Sequence, residues 1–392
     1  MSKITLAAVG DISFAKTPEK LFFENPGYDF FAGAAADLAR ADIRFGNLES
    51  VMIPEGFPLE ATCGKPLQSS DKLISALKTA NFDILNLATN HTLDCGRIGQ
   101  LNTLAQVKSI GVQPLASGQD SAEAAAMRIV EKNGTRIGFT GFVQAGDWTL
   151  AGGGGRIAYL NNNDTIAHIE KCRNLVDVLV VSIHADIEFR ETPSIPRLNL
   201  FRKIAEAGAD LILGHHPHVP QGVERWGSCL INYSLGNFLF DVNGYQLENS
   251  ENVLRSHIFY VDIIDGKITD WHREYYKINP ATACPEKLTG EALEEAQEYY
   301  RSLDTVLTDS EKLHSLWLEN SKKKLERFLQ YRLKNEKNLT ADVFIKKYAS
   351  MLFSDMSCEW LTAIKELAEI EYSKHNHQDY EFKYPYSGII EN

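Results

Sequence analysis

The chain has 392 residues, 44% hydrophobic and 23% charged, with a formal net charge of -12. That is the composition of a soluble globular protein with material for a sizeable core and a second domain. The acidic balance excludes non-specific binding to nucleic-acid backbones. It leaves an anionic substrate to be held only where a bound cation inverts the local charge.

No stretch nears the roughly 18 apolar residues of a membrane span. The opening "MSKITLAAVGDISFAK" reads as a first strand, being too short for a signal-peptide core. Cys63, Cys95, Cys172, Cys229, Cys284 and Cys358 are scattered without a C-x-x-C pair, so free thiols and a cytoplasmic location are expected.

In chain order, "ITLAAVG" (4–10) reads as a strand, "DFFAGAAADLARA" (29–41) as a helix and "IRFGNLES" (43–50) as a strand. "SSDKLISALKTA" (69–80) reads as a helix, "FDILNLATNH" (82–91) as a strand and "GRIGQLNTLAQVKSIG" (96–111) as a helix. "TRIGFTGFV" (135–143) and "DVLVVSIH" (177–184) are further strands, "IPRLNLFRKIAEAGA" (195–209) a helix and "DLILG" (210–214) a strand. This alternation predicts an α/β core with helices covering the sheet. "AGGGGR" (151–156) is a loop that lacks the Lys-Ser/Thr of a phosphate-binding loop.

Beyond the cluster "HHPH" (215–218) the pattern changes. "CLINYSLGNFLF" and "SHIFYVDIIDGKITDW" read as consecutive strands, the second a hairpin turning at Asp265-Gly266, so the sheet is expected to end antiparallel. "ALEEAQEYYRSL", "SEKLHSLWLENSKKKLERFLQYRL", "ADVFIKKYASMLF" and "CEWLTAIKELAEIEYSKH" form a charged helical tail. With a boundary near Pro280–Pro285, residues 1–280 form one domain and 281–392 a helical extension.

The strand ends carry polar residues: Asp11, then Asn47 and Glu49, then Asn90-His91, then His184, then His215, His216 and His218. In parallel α/β sheets the carboxyl edge is where loops converge and ligands bind. Singly, each residue has an ordinary explanation: a turn acid, a helix cap or a core histidine. Together, carboxylate, amide and imidazole suit Mn, Fe, Zn or Co. So many ligands suggest two ions, which can stabilise both attacking and leaving oxygens. In an extended backbone "HHPH" would put His216 and His218 on one side, facing the metals. His215 would lie on the other, backing the ligands or touching substrate.

The stretches "AAVGDISF", "FGNLES", "LNLATNHTLDCG", "VVSIHADIEF", "AGADLILGHHPHVPQGVE" and "INYSLGNFLFD" resemble the CapA family of poly-γ-glutamate capsule synthesis. That family looks like a branch of the calcineurin-like metallophosphoesterases. The resemblance covers roughly Ile4 to Trp271. It implies a sandwich of two mixed β-sheets flanked by helices, here followed by the α-helical C-terminal extension. The implied metal ligands are Asp11, Glu49 or Asn47, Asn90, His184, His216 and His218. His91 is implied as the residue that touches a substrate phosphate or protonates the leaving group.

Three departures stand out. Ser13 replaces the imidazole of the superfamily's Asp-x-His. Ala185 and Asp186 replace Trp and Gly of the family's "HWG-x-E", removing an aromatic wall and adding a carboxylate; Glu188 is kept and is expected to orient His184. Family members usually carry a membrane anchor, whereas no such span is seen here.

Three functions are expected to compete. One is a metal-dependent hydrolase of phosphoesters, with His91, Glu188 and His215 beside the metal ligands. The second cleaves or transfers a γ-glutamyl amide. The third is a non-catalytic assembly subunit that docks a synthase, or a second copy of itself, through the C-terminal helices. The substrate is expected to be a small or oligomeric anion.

Overall fold

A computed structural model of the chain describes residues 3–56, 66–144, 156–242, 244–327, 329 and 355–375. The expected helix "ADVFIKKYASMLF" and nearly all of "AGGGGR" lie outside the described residues. The strands are β1 (Lys3–Ile12), β2 (Ile43–Leu48), β3 (Val51–Ile53), β4 (Gln68–Ser70), β5 (Ile84–Asn86), β6 (Gln113–Leu115), β7 (Arg128–Lys132) and β8 (Thr135–Val143). They continue with β9 (Val178–His184), β10 (Leu211–His215), β11 (Val223–Trp226), β12 (Cys229–Asn232), β13 (Asn237–Leu239), β14 (Arg255–Ile264), β15 (Lys267–Ile278) and β16 (Pro285–Lys287).

Two mixed sheets result. The first has eight strands in the order β16-β15-β14-β1-β2-β5-β6, with β13 pairing on β1. The second has six, β11-β12-β10-β9-β8-β7. Both end antiparallel, and β14 and β15 turn at Asp265-Gly266.

Alternation along the central strands explains the layering. Ile4, Leu6 and Ala8 of β1, Phe259 and Val261 of β14, Val178 and Val180 of β9, and Leu211 and Leu213 of β10 meet between the sheets. Their neighbours Ala7, Val9, Ile258 and Tyr260 face helices outside the first sheet, among them Ile74–Ala80 and Gly96–Ser109. Leu179, Val181, Ile183 and Ile212 face helices Asn162–Arg173 and Ile195–Glu206 outside the second.

The helix expected over 29–41 is reduced to Ala35–Leu38. Phe30 and Phe31 instead turn inward onto Phe14, with ring centroids 5.6 and 6.4 Å away. The first residues of "SSDKLISALKTA" belong to β4, which pairs with β3.

The sheets are tied together where the chain leaves β12 and enters β13. Tyr233–Gly236 crosses from one sheet to the other between β1 and β10. Asp11 N donates to Gly236 O at 2.9 Å, and Leu235 N donates to Gly214 O at 2.9 Å. A Cβ on Gly10 would stand 1.9 Å from Gly236 O, and one on Gly214 1.9 Å from Tyr233 O. Only glycine allows this approach on either side.

The helical extension is packed on this core. β16, within it, still pairs with β15. On helix Gly290–Val306, Asp304 accepts from Arg273 at 2.7 and 2.8 Å and from Val223 N at 2.7 Å. Leu307 and Leu313 join the cluster outside the second sheet. Among the described residues no helix is long and apolar enough to cross a membrane, and Cys95, Cys172, Cys229 and Cys284 are free, buried thiols.

Candidate metal centre

The inward columns of the sheets end in polar residues. Ile43 and Phe45 lead to Asn47 on β2, and Ile84 to Asn86 on β5. Val178 and Val180 lead to Ser182 and His184 on β9; Leu211 and Leu213 lead to His215 on β10. Asp11 would point the wrong way by strict alternation. The pairing of β1 with β2 runs Ala8↔Phe45 and then Asp11↔Asn47, an extra residue on β1. This bulge turns the Asp11 carboxylate inward.

Asp11, Glu49 and His218 each bring a ligand atom into one group, all within 4.8 Å of one another and all buried. His218 Nδ1 lies 3.4 Å from Asp11 Oδ2, and its Nε2 3.8 Å from Glu49 Oε1. Around them, Asn47 Nδ2 donates to Asp11 Oδ1 at 2.9 Å, and Asn86 Nδ2 donates to Asn47 Oδ1 at 2.6 Å. His184 Nε2 is 2.8 Å from Asn90 Oδ1 and 3.9 Å from Glu49 Oε1. The His216 ring lies 5.0 Å from that of His184 and 6.1 Å from that of His218. Both oxygens of Glu49 and both ring nitrogens of His215 and His216 are buried without a hydrogen-bond partner.

The backbone reaches this arrangement differently from expectation. The extended geometry ends at His215; His216 and His218 have φ of +96° and +60°. His216 and His218 nevertheless share a side with His184. His215, on the strand itself, points between the sheets, with Nδ1 3.6 Å from Asp11 Oδ1 and its ring stacked on Phe45. It is fully buried, so it backs Asp11 and does not face the mouth.

Glu188 does not orient His184: that ring has Asn47 at Nδ1 (3.3 Å) and Asn90 at Nε2. Asp186 does not face the site as an added carboxylate; it accepts from Ser194 N at 3.0 Å, just before helix Ile195–Glu206, and its own amide donates to Gln144 Oε1. Aromatic rings still stand against the site: Phe189 and Phe240 lie 5.8 and 5.0 Å from the His218 ring.

Three polar residues join the site that sequence reasoning did not single out. Asp94 Oδ2 lies 2.7 Å from His91 Nδ1 and accepts from Leu67 N at 2.7 Å. Asn237 Oδ1 lies 2.9 Å from His218 Nδ1, and Asn86 supports Asn47. A carboxylate three residues after His91 in "NHTLD" was a readable signal. Asn237 in "SLGNFLF" was not, because its sheet is set only by the crossover.

Electrostatics separates the groups. Burial would raise the Asp11 pKa, but bonds to His215 and His218 and the imidazole charges hold it well below the usual carboxylate range. Burial, with Asp11 adding repulsion, pushes Glu49 up to about 8 despite the nearby histidines. Burial drives His184 far down and His216 to about 4, leaving both neutral. Burial also opposes charge on His218, yet Glu49 and Asp11 raise it to about 10. His91 is raised too, Asp94 and Glu49 outweighing burial.

Neutral His184 and His216 beside a Glu49 carboxyl with both oxygens orphaned, packed at full burial, fit a divalent cation. Fold and cluster thus define a two-sheet α/β protein with a candidate metal centre at its strand ends. The profile described as Bacterial capsule synthesis protein PGA_cap matches residues 5–242, and the chain belongs to that family. It is 30% identical over 249 residues to "Capsule biosynthesis protein CapA" of Bacillus anthracis, covering 61% of this chain and 60% of that protein. It is 29% identical over 241 residues to "PGA biosynthesis protein CapA" of Bacillus subtilis (strain 168), covering 61% and 63%. The chain therefore spans less than two thirds of the length of either relative. Among solved structures, it is similar to the 5'-nucleotidase from Candida albicans SC5314, with a TM-score of 0.42, 11% identity, and 86% and 66% of the two chains covered.

Proposed function

We propose that the chain is a metal-dependent hydrolase of phosphoesters. The observation that supports this reading is the convergence of Asp11, Glu49 and His218, with the Glu49 carboxylate and the His216 ring unpartnered at full burial. Such groups are costly to bury alone and are satisfied by a cation. Asp11, Glu49 and His218 would hold it, and Asn47, Asn90, His184 and His216 would complete a site for one or two ions of Mn, Fe, Zn or Co. A divalent ion bound there supplies Lewis acidity toward a phosphoryl oxygen and an attacking water.

The protein's own groups do the rest. His91 is the least buried member, its side chain 21% exposed, with Nε2 on the side of Glu49. Asp94 fixes its Nδ1 and favours the protonated ring. His91 is thereby suited to hold a substrate anion or to give a proton to the leaving oxygen from Nε2. Asn90 and Asn237 fix the ring orientations of His184 and His218.

Protein purified without added metal is expected to carry about two transition-metal ions per chain by elemental analysis, and to hydrolyse an aryl phosphate or a phosphodiester. His216→Ala is expected to abolish turnover. Metal-replete protein inert toward a broad phosphoester panel would count against the reading. A second reading keeps the ions and changes the bond to a γ-glutamyl amide. It is supported by relatives named for capsule and PGA biosynthesis. Turnover of oligo-γ-glutamate without turnover of phosphoesters would select it.

A further inference from the structure

The family profile ends at residue 242, yet helix Gly290–Val306 touches the end of the loop that carries two histidines of the candidate centre. That loop leaves β10 at His215 and enters β11 at Val223. Its backbone has φ of +96° at His216 and +60° at His218. Residues other than glycine keep such angles only where their surroundings fix them from several sides.

Two of those sides lie within the profile. Gln221 N donates to Ser234 O at 3.0 Å, and Ser234 Oγ donates to Val219 O at 2.8 Å. From the loop after β9, Phe189 N donates to Pro217 O at 2.8 Å, and Arg190 O accepts from Gln221 Nε2 at 2.8 Å. The third side is the extension. β11 is an edge strand with β12 on one side only. On its open side Val223 N donates to Asp304 Oδ1 at 2.7 Å. Gly222 lies so close to the same helix that a Cβ there would stand 2.3 Å from Leu303 O. Asp304 is itself gripped by Arg273 of β15, with Nη1 on Oδ2 at 2.8 Å and Nη2 on Oδ1 at 2.7 Å. An acid in the last turn of a helix opposes the helix dipole, so the helix alone does not favour Asp304. Its contacts with the core do.

We propose that helix Gly290–Val306 is part of the candidate centre's scaffold: Asp304 is a positioning residue that anchors the far end of the loop carrying His216 and His218. The inference rests on the metal-binding reading above. Without this anchor the loop enters β11 held by β12 alone, and the angles at His216 and His218 are free to relax.

The test compares full-length wild type, Asp304→Ala, Asp304→Asn and Leu313→Ala. Mn²⁺ affinity is measured by titration calorimetry, and amide hydrogen exchange and the thermal midpoint are measured on the metal-free proteins. Asp304→Ala is expected to weaken Mn²⁺ by about tenfold, the low end for an outer support, and to speed exchange at the Gln221 amide. Asp304→Asn keeps an oxygen for Val223 N and gives up the charge facing Arg273. It is expected to lower the midpoint yet hold Mn²⁺ within about twofold of wild type. Leu313→Ala trims the next helix, where the extension joins the cluster outside the second sheet. It is expected to lower the midpoint and leave Mn²⁺ affinity and Gln221 exchange unchanged. Wild-type Mn²⁺ affinity in Asp304→Ala overturns the inference, as does equal weakening in Leu313→Ala or no recovery in Asp304→Asn. If the wild type binds no Mn²⁺, the metal reading falls and exchange decides. Faster exchange at Gln221 in Asp304→Ala, but not in Leu313→Ala, then supports the positioning role; any other exchange result overturns it.

Discussion

The two sheets contribute opposite chemistry to the centre. The first supplies oxygen: Asp11, Asn47, Glu49, Asn86, Asn90 and Asn237 lie on or just after its strands. The second supplies nitrogen: His184, His215, His216 and His218 lie on or just after β9 and β10. Neither sheet alone holds a complete donor set. The first presents two carboxylates that repel each other; the second presents four imidazoles, of which His184 and His216 are kept neutral by burial. The candidate centre forms only where the sheets close on each other, so a cation that bound there would couple to sheet packing.

The closure depends on a matched pair of glycines. Gly10 in the first sheet and Gly214 in the second each sit against the crossing Tyr233–Gly236, with room for no Cβ. Gly10→Ala and Gly214→Ala are each expected to destabilise the fold by about 3–5 kcal/mol. Urea denaturation of the metal-free protein would check this. Gly244→Ala is the control, since nothing lies within 4 Å of a Cβ there. A midpoint unchanged in either inner variant would show that the crossover yields and that the sheets are not held by it.

The contrast between oxygen and nitrogen also sets a pH dependence. Without an ion, Glu49 has a pKa of about 8 and His218 of about 10, so near neutrality both carry protons that a cation must displace. His184 and His216 are already neutral and release none. Affinity should therefore rise with pH up to about 8, by as much as a hundredfold per unit where two protons leave. Calorimetry at pH 7 in buffers of different ionisation enthalpy is expected to report release of about two protons per chain. No proton release would mean that the carboxylates of the first sheet are ionised before the ion arrives.

Much of this was legible in sequence, and unevenly so. The convergence of strand-end polar residues could be read because each closes an apolar run, and period-two alternation carries His184 and His215 inward from Val178 and Leu211. What could not be read were the departures from regular geometry. The bulge that turns Asp11 inward and the positive φ at His216 and His218 arise from contacts between distant segments. The helix expected over 29–41 gave way because Phe30 and Phe31 gain more by joining the aromatic cluster around Phe14 than by continuing a helical face. Asp186 looked like a new charge for substrate, but the turn before helix Ile195–Glu206 claims it.

The finest contrast is between the candidate ligands and the amides that face them. Asn90 Oδ1 faces His184 Nε2 at 2.8 Å, and Asn237 Oδ1 faces His218 Nδ1 at 2.9 Å. Both amides come from the first sheet and both rings from the second or the loop after it. If Asn237 accepts from Nδ1–H, Nε2 of His218 is left as the ligating lone pair on the side of Glu49. Asn90 faces the nitrogen that would otherwise ligate, so it either accepts from a ring held off the ion or turns its own oxygen to the ion. Asn237→Ala is therefore expected to weaken Mn²⁺ by about 10- to 100-fold through ring orientation alone. Asn237→Asp, which keeps an acceptor, should recover most of that loss. For Asn90 the two roles separate: an orienting amide is replaced by aspartate at little cost, whereas a ligating one gains a charge and tightens the ion. Titration of Asn237→Ala, Asn237→Asp and Asn90→Asp with Mn²⁺ distinguishes these outcomes. Equal losses in Asn237→Ala and Asn237→Asp would show that the first sheet's amides pack against the imidazoles without aiming them.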